Sequence, residues 1–149
     1  MIILVAGIVV VVSAQVFSRF VLGDSSSITE ELARFILIWI GLFGGAYGYH
    51  TNVHLGLDVV VKKMSHTPQL IAGMIAHLCV LGFAVIVMIY GGLSLVQLTL
   101  DPVQISAAMQ IKMAYVYLSI PISGLLIVMF AITKLRESFM LIVTPKEEV

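Results

Sequence analysis

Charge is scarce in this sequence. Only 11% of its 149 residues are Asp, Glu, Lys or Arg, against about 25% in a soluble domain. Hydrophobic residues make up 60%, and the mean hydropathy is +1.13. A 16.2 kDa globule has too much surface to hide that apolar surplus. An ordinary soluble enzyme and a disordered tail are thereby excluded. The 8 Lys and Arg are balanced by 8 Asp and Glu, so no basic field exists to attract nucleic acid. Cysteine is nearly absent as well. Cys79 stands alone in an apolar run, so it makes no internal disulfide and no thiolate cluster, and a buried structural thiol is expected there. Motifs of catalysis are missing: no G-x-S-x-G, no H-E-x-x-H, no P-loop and no Gly-rich dinucleotide fingerprint. No residue is assigned to catalysis, substrate binding, a metal or a cofactor, and the chain is expected not to be an enzyme. Internal repeats and deep carboxylates are lacking too, which argues against a carrier acting alone.

Long apolar runs are what the sequence does contain. At about 20 residues per crossing there is room for four. The predicted fold is an all-α membrane protein, a single integral domain over 1–149, with spans near 1–22, 32–49, 69–98 and 113–133. The first run is read as a retained span and not a cleaved signal, because apolar character resumes after Val12-Ser13-Ala14 through Val16, Phe17, Phe20, Val21 and Leu22. Ser27-Ile28-Thr29-Glu30 fits a capping box opening the second helix, and Arg34 stands four residues after Glu30. Gly41, Gly44, Gly45 and Gly48 overlay two small-xxx-small patterns. They fit close packing either within this chain or on another one. Residues 53–64 form a short amphipathic helix predicted to lie flat on the cytoplasmic side, with His54, Asp58 and Lys62 on one face. Pro68 opens the third helix, Asp101-Pro102 reads as an N-cap followed by Pro, and Pro121 breaks the hydrogen-bond ladder of the fourth span, with Ser119 and Ser123 nearby.

Basic residues set the orientation. Lys62 and Lys63 lie between spans two and three, and Lys134, Arg136 and Lys146 lie in the tail at 134–149. The first connection is acidic, with Asp24, Glu30 and Glu31, while Arg19 and Arg34 are set back on the flanking helices. The positive-inside rule therefore puts both termini in the cytoplasm. His77 is the one ionisable group well inside a span, and a hydrogen bond between helices is its expected role. His50 and His54, four apart, lack an assured third partner for a metal.

The run Gln15-Val16-Phe17-Ser18-Arg19-Phe20-Val21-Leu22 resembles the end of the first span in the small transmembrane (Q-type, DctQ-like) subunits of tripartite ATP-independent periplasmic (TRAP) transporters. The resemblance continues in Thr29-Glu30-Glu31-Leu32-Ala33-Arg34-Phe35, in His54-Leu55-Gly56-Leu57-Asp58, and in Met109 through Gly124 with Tyr115, Tyr117, Ile120-Pro121 and Gly124. A Trp that the family often has before the first of those tyrosines is absent. The resemblance implies a four-span protein of the bacterial inner membrane. It also implies a complex with a large multi-span permease subunit that holds the substrate and sodium sites, so no cofactor is expected on this chain. A periplasmic substrate-binding protein would deliver an organic acid such as a sialic acid or a C4-dicarboxylate. On that basis the small subunit is expected to be a scaffold. Gly41, Gly44, Gly45, Gly48, Arg19, Glu30, Glu31, Arg34, His54, Asp58 and Pro121 are the candidate partner-interface residues. For Glu30, Glu31 and Arg34 two roles stay open: docking the periplasmic protein, or helix capping and pairing. A membrane anchor of a redox complex and a stand-alone small exporter are the alternative functions.

Overall fold

The computed structural model describes residues 2–23, 27–51 and 66–143. The expected amphipathic helix at 53–64 lies outside the described residues. Helix α1 (Ile2–Phe17) runs into a π turn (Ser18–Leu22) and closes at Gly23, whose φ of 69° is a left-handed cap that suits glycine. Helix α2 is Ser27–His50. Ser27 is thus the first helical residue, and Glu30 turns towards Arg34 at 3.5 Å.

The third rod combines α3 (His66–Phe83), a π segment (Ala84–Gly91) and α4 (Gly92–Leu100). It stays continuous because Phe83, Gly91 and Gly92 all keep helical dihedrals. The fourth joins α5 (Met113–Tyr117) to α6 (Ser119–Val143) through a helical Leu118. Pro121 has no N–H to give, yet Leu118 N still bonds Ala114 O and Ile122 N bonds Leu118 O, so the ladder resumes. This rod continues ten residues past Thr133, because Lys134, Arg136 and Glu137 favour a helix without needing lipid.

Four helices among the described residues are long and apolar enough to cross a membrane: Ile2–Val21, Ser27–His50, Ile71–Leu100 and Met113–Met140, here spans 1 to 4. Span 3, at 30 residues, reaches about 45 Å and must tilt or project beyond a hydrocarbon core of about 30 Å.

The spans pack as a row, 1–2–4–3: span 1 lies against span 2, span 2 against span 4, and span 4 against the whole of span 3. Burial follows that order, with 33% of span 4 buried and 0% of span 1. Span 4 sits in the middle because its inward side chains are small: Ala114, Ser119, Ser123, Gly124 and Ala131 are all buried. The two serines place no unpaired polar group there. Ser119 Oγ donates to Val116 O at 2.7 Å and Ser123 Oγ to Ile120 O at 2.9 Å.

Two local expectations are corrected. Asp101 is not an N-cap; it is the extended C-cap of α4, and residues 101–112 form a folded loop. Cys79 is not buried but exposed on span 3, because it lies on the side of the rod turned away from span 4.

Candidate functional site

Two polar clasps hold the row together, at opposite ends of span 2. Glu31 is the fifth residue of α2 and Tyr49 stands in its last turn, 18 residues on, or about 27 Å along the axis. At the Glu31 end, α4 stops at Leu100 and the chain folds back on itself. Gln104 N bonds Thr99 O at 2.9 Å, Ser106 N bonds Ile111 O at 2.8 Å, and Met113 N bonds Gln104 O at 2.9 Å. This compact loop turns its inner donors towards α2. Glu31 Oε2 accepts from Ser106 Oγ at 3.0 Å, Ala108 N at 3.0 Å and Met109 N at 2.8 Å. Such concentration on one carboxylate oxygen supplies partners to amides that no strand or helix satisfies.

At the other end Tyr49 links three spans. Its hydroxyl meets His77 Nδ1 of span 3 at 2.9 Å, with the rings edge-on at 5.9 Å. Lys134 of span 4 donates to Tyr49 O and lies over the Tyr49 ring, 4.8 Å from its centre. Beside this clasp the His50 ring tilts against Phe130 at 4.4 Å. The expected role of His77, a hydrogen bond between helices, is thus what the geometry provides. No three potential metal ligands converge among the described residues.

Between the clasps, glycine divides into two kinds. Gly92 and Gly124 are contact points of spans 3 and 4. A Cβ on Gly124 would lie 2.8 Å from Met88 Cβ, and one on Gly92 would lie 3.0 Å from both Ile120 Cγ2 and Pro121 Cδ. Pro121 therefore belongs to this internal joint. On Gly41, Gly45 or Gly48 a Cβ would meet nothing within 4 Å. Of the two roles left open for this face, packing within the chain is not the one these three glycines serve. Gly44 is half-buried. Gly41 and Gly45 continue an exposed stripe through Glu30, Arg34 and Leu37 on span 2. The flank of span 2 towards span 4 carries an apolar groove lined by Phe43, Ala46, Tyr47, Leu126 and Phe130.

The other candidates divide likewise. Arg19 is exposed in the π turn that ends span 1. Glu30 and Arg34 form an exposed i,i+4 pair. Glu31 has a role that neither capping nor docking anticipated, since it ties down a loop 75 residues away. His54 and Asp58 lie outside the described residues. Sequence reasoning missed Gly92, the loop donors and Lys134. Only Gly92 carried a signal, as one of two adjacent glycines, Gly91-Gly92, inside an otherwise bulky apolar run.

Residues 8–140 match the family model described as tripartite ATP-independent periplasmic transporters, DctQ component. The C4-dicarboxylate TRAP transporter small permease protein DctQ of Pseudomonas aeruginosa is 41% identical over 56 residues, 38% of this chain and 27% of that one. A TRAP transporter small permease protein of Haemophilus influenzae is 27% identical over 136 residues, 87% of this chain and 81% of that one. The isethionate TRAP transporter permease protein DctMQ of Oleidesulfovibrio alaskensis is 30% identical over 95 residues, 64% of this chain and 15% of that one. The match thus spans about a quarter of the Pseudomonas relative and a smaller share of the Oleidesulfovibrio one. With nearly its whole length inside the family model, the chain belongs to the DctQ component family of tripartite ATP-independent periplasmic transporters.

Proposed function

We propose that this chain is the small permease subunit of a sodium-coupled, binding-protein-dependent transporter for an organic acid. It acts as a scaffold for a large permease subunit that holds the substrate and sodium sites. The observation that carries this reading is the open face of span 2, where Gly41, Gly45 and Gly48 leave room for another backbone and nothing among the described residues fills it. Small residues are how helices approach closely in lipid, where the hydrophobic effect gives no net drive. The name DctMQ on the far longer Oleidesulfovibrio relative supports a large permease as the partner. Names among the relatives that mention C4-dicarboxylate and isethionate support a small organic acid as cargo. The placement of Lys and Arg supports an inner-membrane protein with both termini in the cytoplasm. The Glu31 end then faces the periplasm. Exposed Arg19, Glu30 and Arg34 form a charged rim there for the binding protein, while His54 and Asp58 belong to the cytoplasmic side.

The test is Gly45→Leu in the chain co-expressed with the large subunit. Loss of co-purification and of uptake is expected, with the isolated small subunit still folded. Assembly and uptake at the parental level overturn the scaffold reading. For the rim, Glu30→Lys tests docking better than a change at Glu31, because Glu31 is committed to the loop. Binding-protein affinity should fall several-fold, and an unchanged affinity rejects that role.

A further inference from the structure

The 101–112 loop is short of charge for a connection between spans: only Asp101 and Lys112, at its two ends, are ionisable. Its outward side chains include Val103 at 55% exposure and Ile105 at 60%. In a loop bathed by water, two such residues would cost solubility for no structural return, since neither packs on the bundle. Their placement gives a reason. Val103 bridges back to Leu100 and Ile105 pairs with Lys112, so both are tied through the backbone to the residues that end span 3 and precede span 4. Leu98 and Leu100 on the last turn of span 3 and Tyr115 on the first of span 4 are exposed as well, giving an apolar border between loop and spans. That border is where a membrane protein meets the headgroup layer, and Tyr is enriched there.

The inner side of the loop supports the same conclusion independently. Backbone placed near hydrocarbon must find its partners within the protein. Here Gln104 N, Ser106 N and Met113 N are paired within the loop and the end of span 3, and Ala108 N and Met109 N are paired by Glu31. The carboxylate takes the place that water would fill at an ordinary connection. Lys112, exposed just before α5, has a stem long enough to follow the apolar border and put its ammonium among phosphates.

We propose that this loop is an interfacial anchor, and that Val103 and Ile105 insert into the headgroup and upper acyl region of the leaflet on the Glu31 side. The occupant of the exposed patch is lipid. The anchor fixes the depth at which the joined ends of spans 3 and 4 sit, which matters for a span 3 longer than the bilayer core is thick.

The test uses the full chain carrying Trp39→Phe, which removes its single tryptophan, together with Ile105→Trp as a depth probe. It is reconstituted in phosphatidylethanolamine–phosphatidylglycerol vesicles, with or without acyl chains brominated near the headgroup. Brominated lipid should quench the emission strongly, because the probe then sits at the membrane interface, and aqueous iodide should remove little. Val103→Trp repeats the measurement at an independent position, and retained helical circular dichroism shows that each probe is folded. Strong iodide quenching without an effect of brominated lipid puts the loop in water and overturns the proposal. Protection from both quenchers overturns it too, because protein then covers the patch. So does loss of the brominated-lipid effect when the large subunit is present.

Discussion

Gly124 and Gly45 are both glycines in apolar spans, but their surroundings are opposite. Met88 Cβ stands 2.8 Å from where a Cβ of Gly124 would be, while the space beside Gly45 is empty to 4 Å. The same contrast separates the two halves of the row. Spans 3 and 4 close on each other through Gly92, Pro121 and Gly124. Span 1 buries nothing, and span 2 makes no such close contact at Gly41, Gly45 or Gly48 among the described residues. Bilayer lipid removes the hydrophobic drive for helix association, so only close packing and hydrogen bonds can hold spans together. The closed half has those within one chain. The open half shows no such close contact at Gly41, Gly45 or Gly48 among the described residues.

The largest effect is expected where the closed half is forced open. Gly124→Ala sets a methyl group against Met88 Cβ, an atom next to the backbone that cannot swing away. Overpacking of this kind costs about 1–3 kcal/mol, and thermal unfolding in detergent should show it as a lowered midpoint. Gly92→Ala should cost less, because its nearest contacts, Ile120 Cγ2 and Pro121 Cδ, stand at 3.0 Å and not 2.8 Å. Parental stability in both variants would mean that spans 3 and 4 slide apart freely, and the contrast between the halves would fail.

A smaller, local effect is expected at the first clasp. Glu31→Gln keeps the shape but replaces an ionised acceptor of three bonds by a neutral amide. Hydrogen exchange should accelerate at the amides of Ala108 and Met109, with spans 3 and 4 still folded. Equal protection in the variant would show that the loop holds its form without the carboxylate. At the second clasp, Tyr49→Phe removes the 2.9 Å bond to His77 and keeps the ring. Interhelical bonds in membranes are worth about 0.6 kcal/mol on average, so a midpoint shift near the edge of detection is the expected result. A shift as large as that of Gly124→Ala would make this bond, and not the packing, the main tie between span 2 and its neighbours.

These ranks also explain what was legible in the sequence. Four spans were readable because lipid demands unbroken apolar runs, and a composition so poor in charge leaves few places to end them. The hydrogen-bonding role of His77 was readable in kind, since a lone polar group in a span must find a partner, but nothing in the local sequence named Tyr49. Gly92 was hidden for a different reason. The π segment Ala84–Gly91 widens the helical turn and shifts the register, so spacing counted at 3.6 residues assigns the wrong face beyond it. Glu31 was read through its helix because capping and i,i+4 pairing are local. Its true partners lie on a loop whose fold depends on long-range pairing that no periodicity encodes.

The smallest expected effect is the most informative about the open half. Gly45→Leu places a large side chain in space that is empty in this chain. It also replaces the residue least suited to a helix interior, after proline, by a good helix former. For the isolated chain the midpoint should therefore stay within about 0.5 kcal/mol of the parent, as for substitutions that touch no packed or paired group. Against Gly124→Ala this makes a paired measurement: one methyl group on the closed side should matter more than a whole leucine side chain on the open side. A clear loss of stability for isolated Gly45→Leu would mean that span 2 packs on something within this chain or a second copy of it. The open half would then be closed by the subunit itself, and span 2 would cease to be the surface awaiting the large permease.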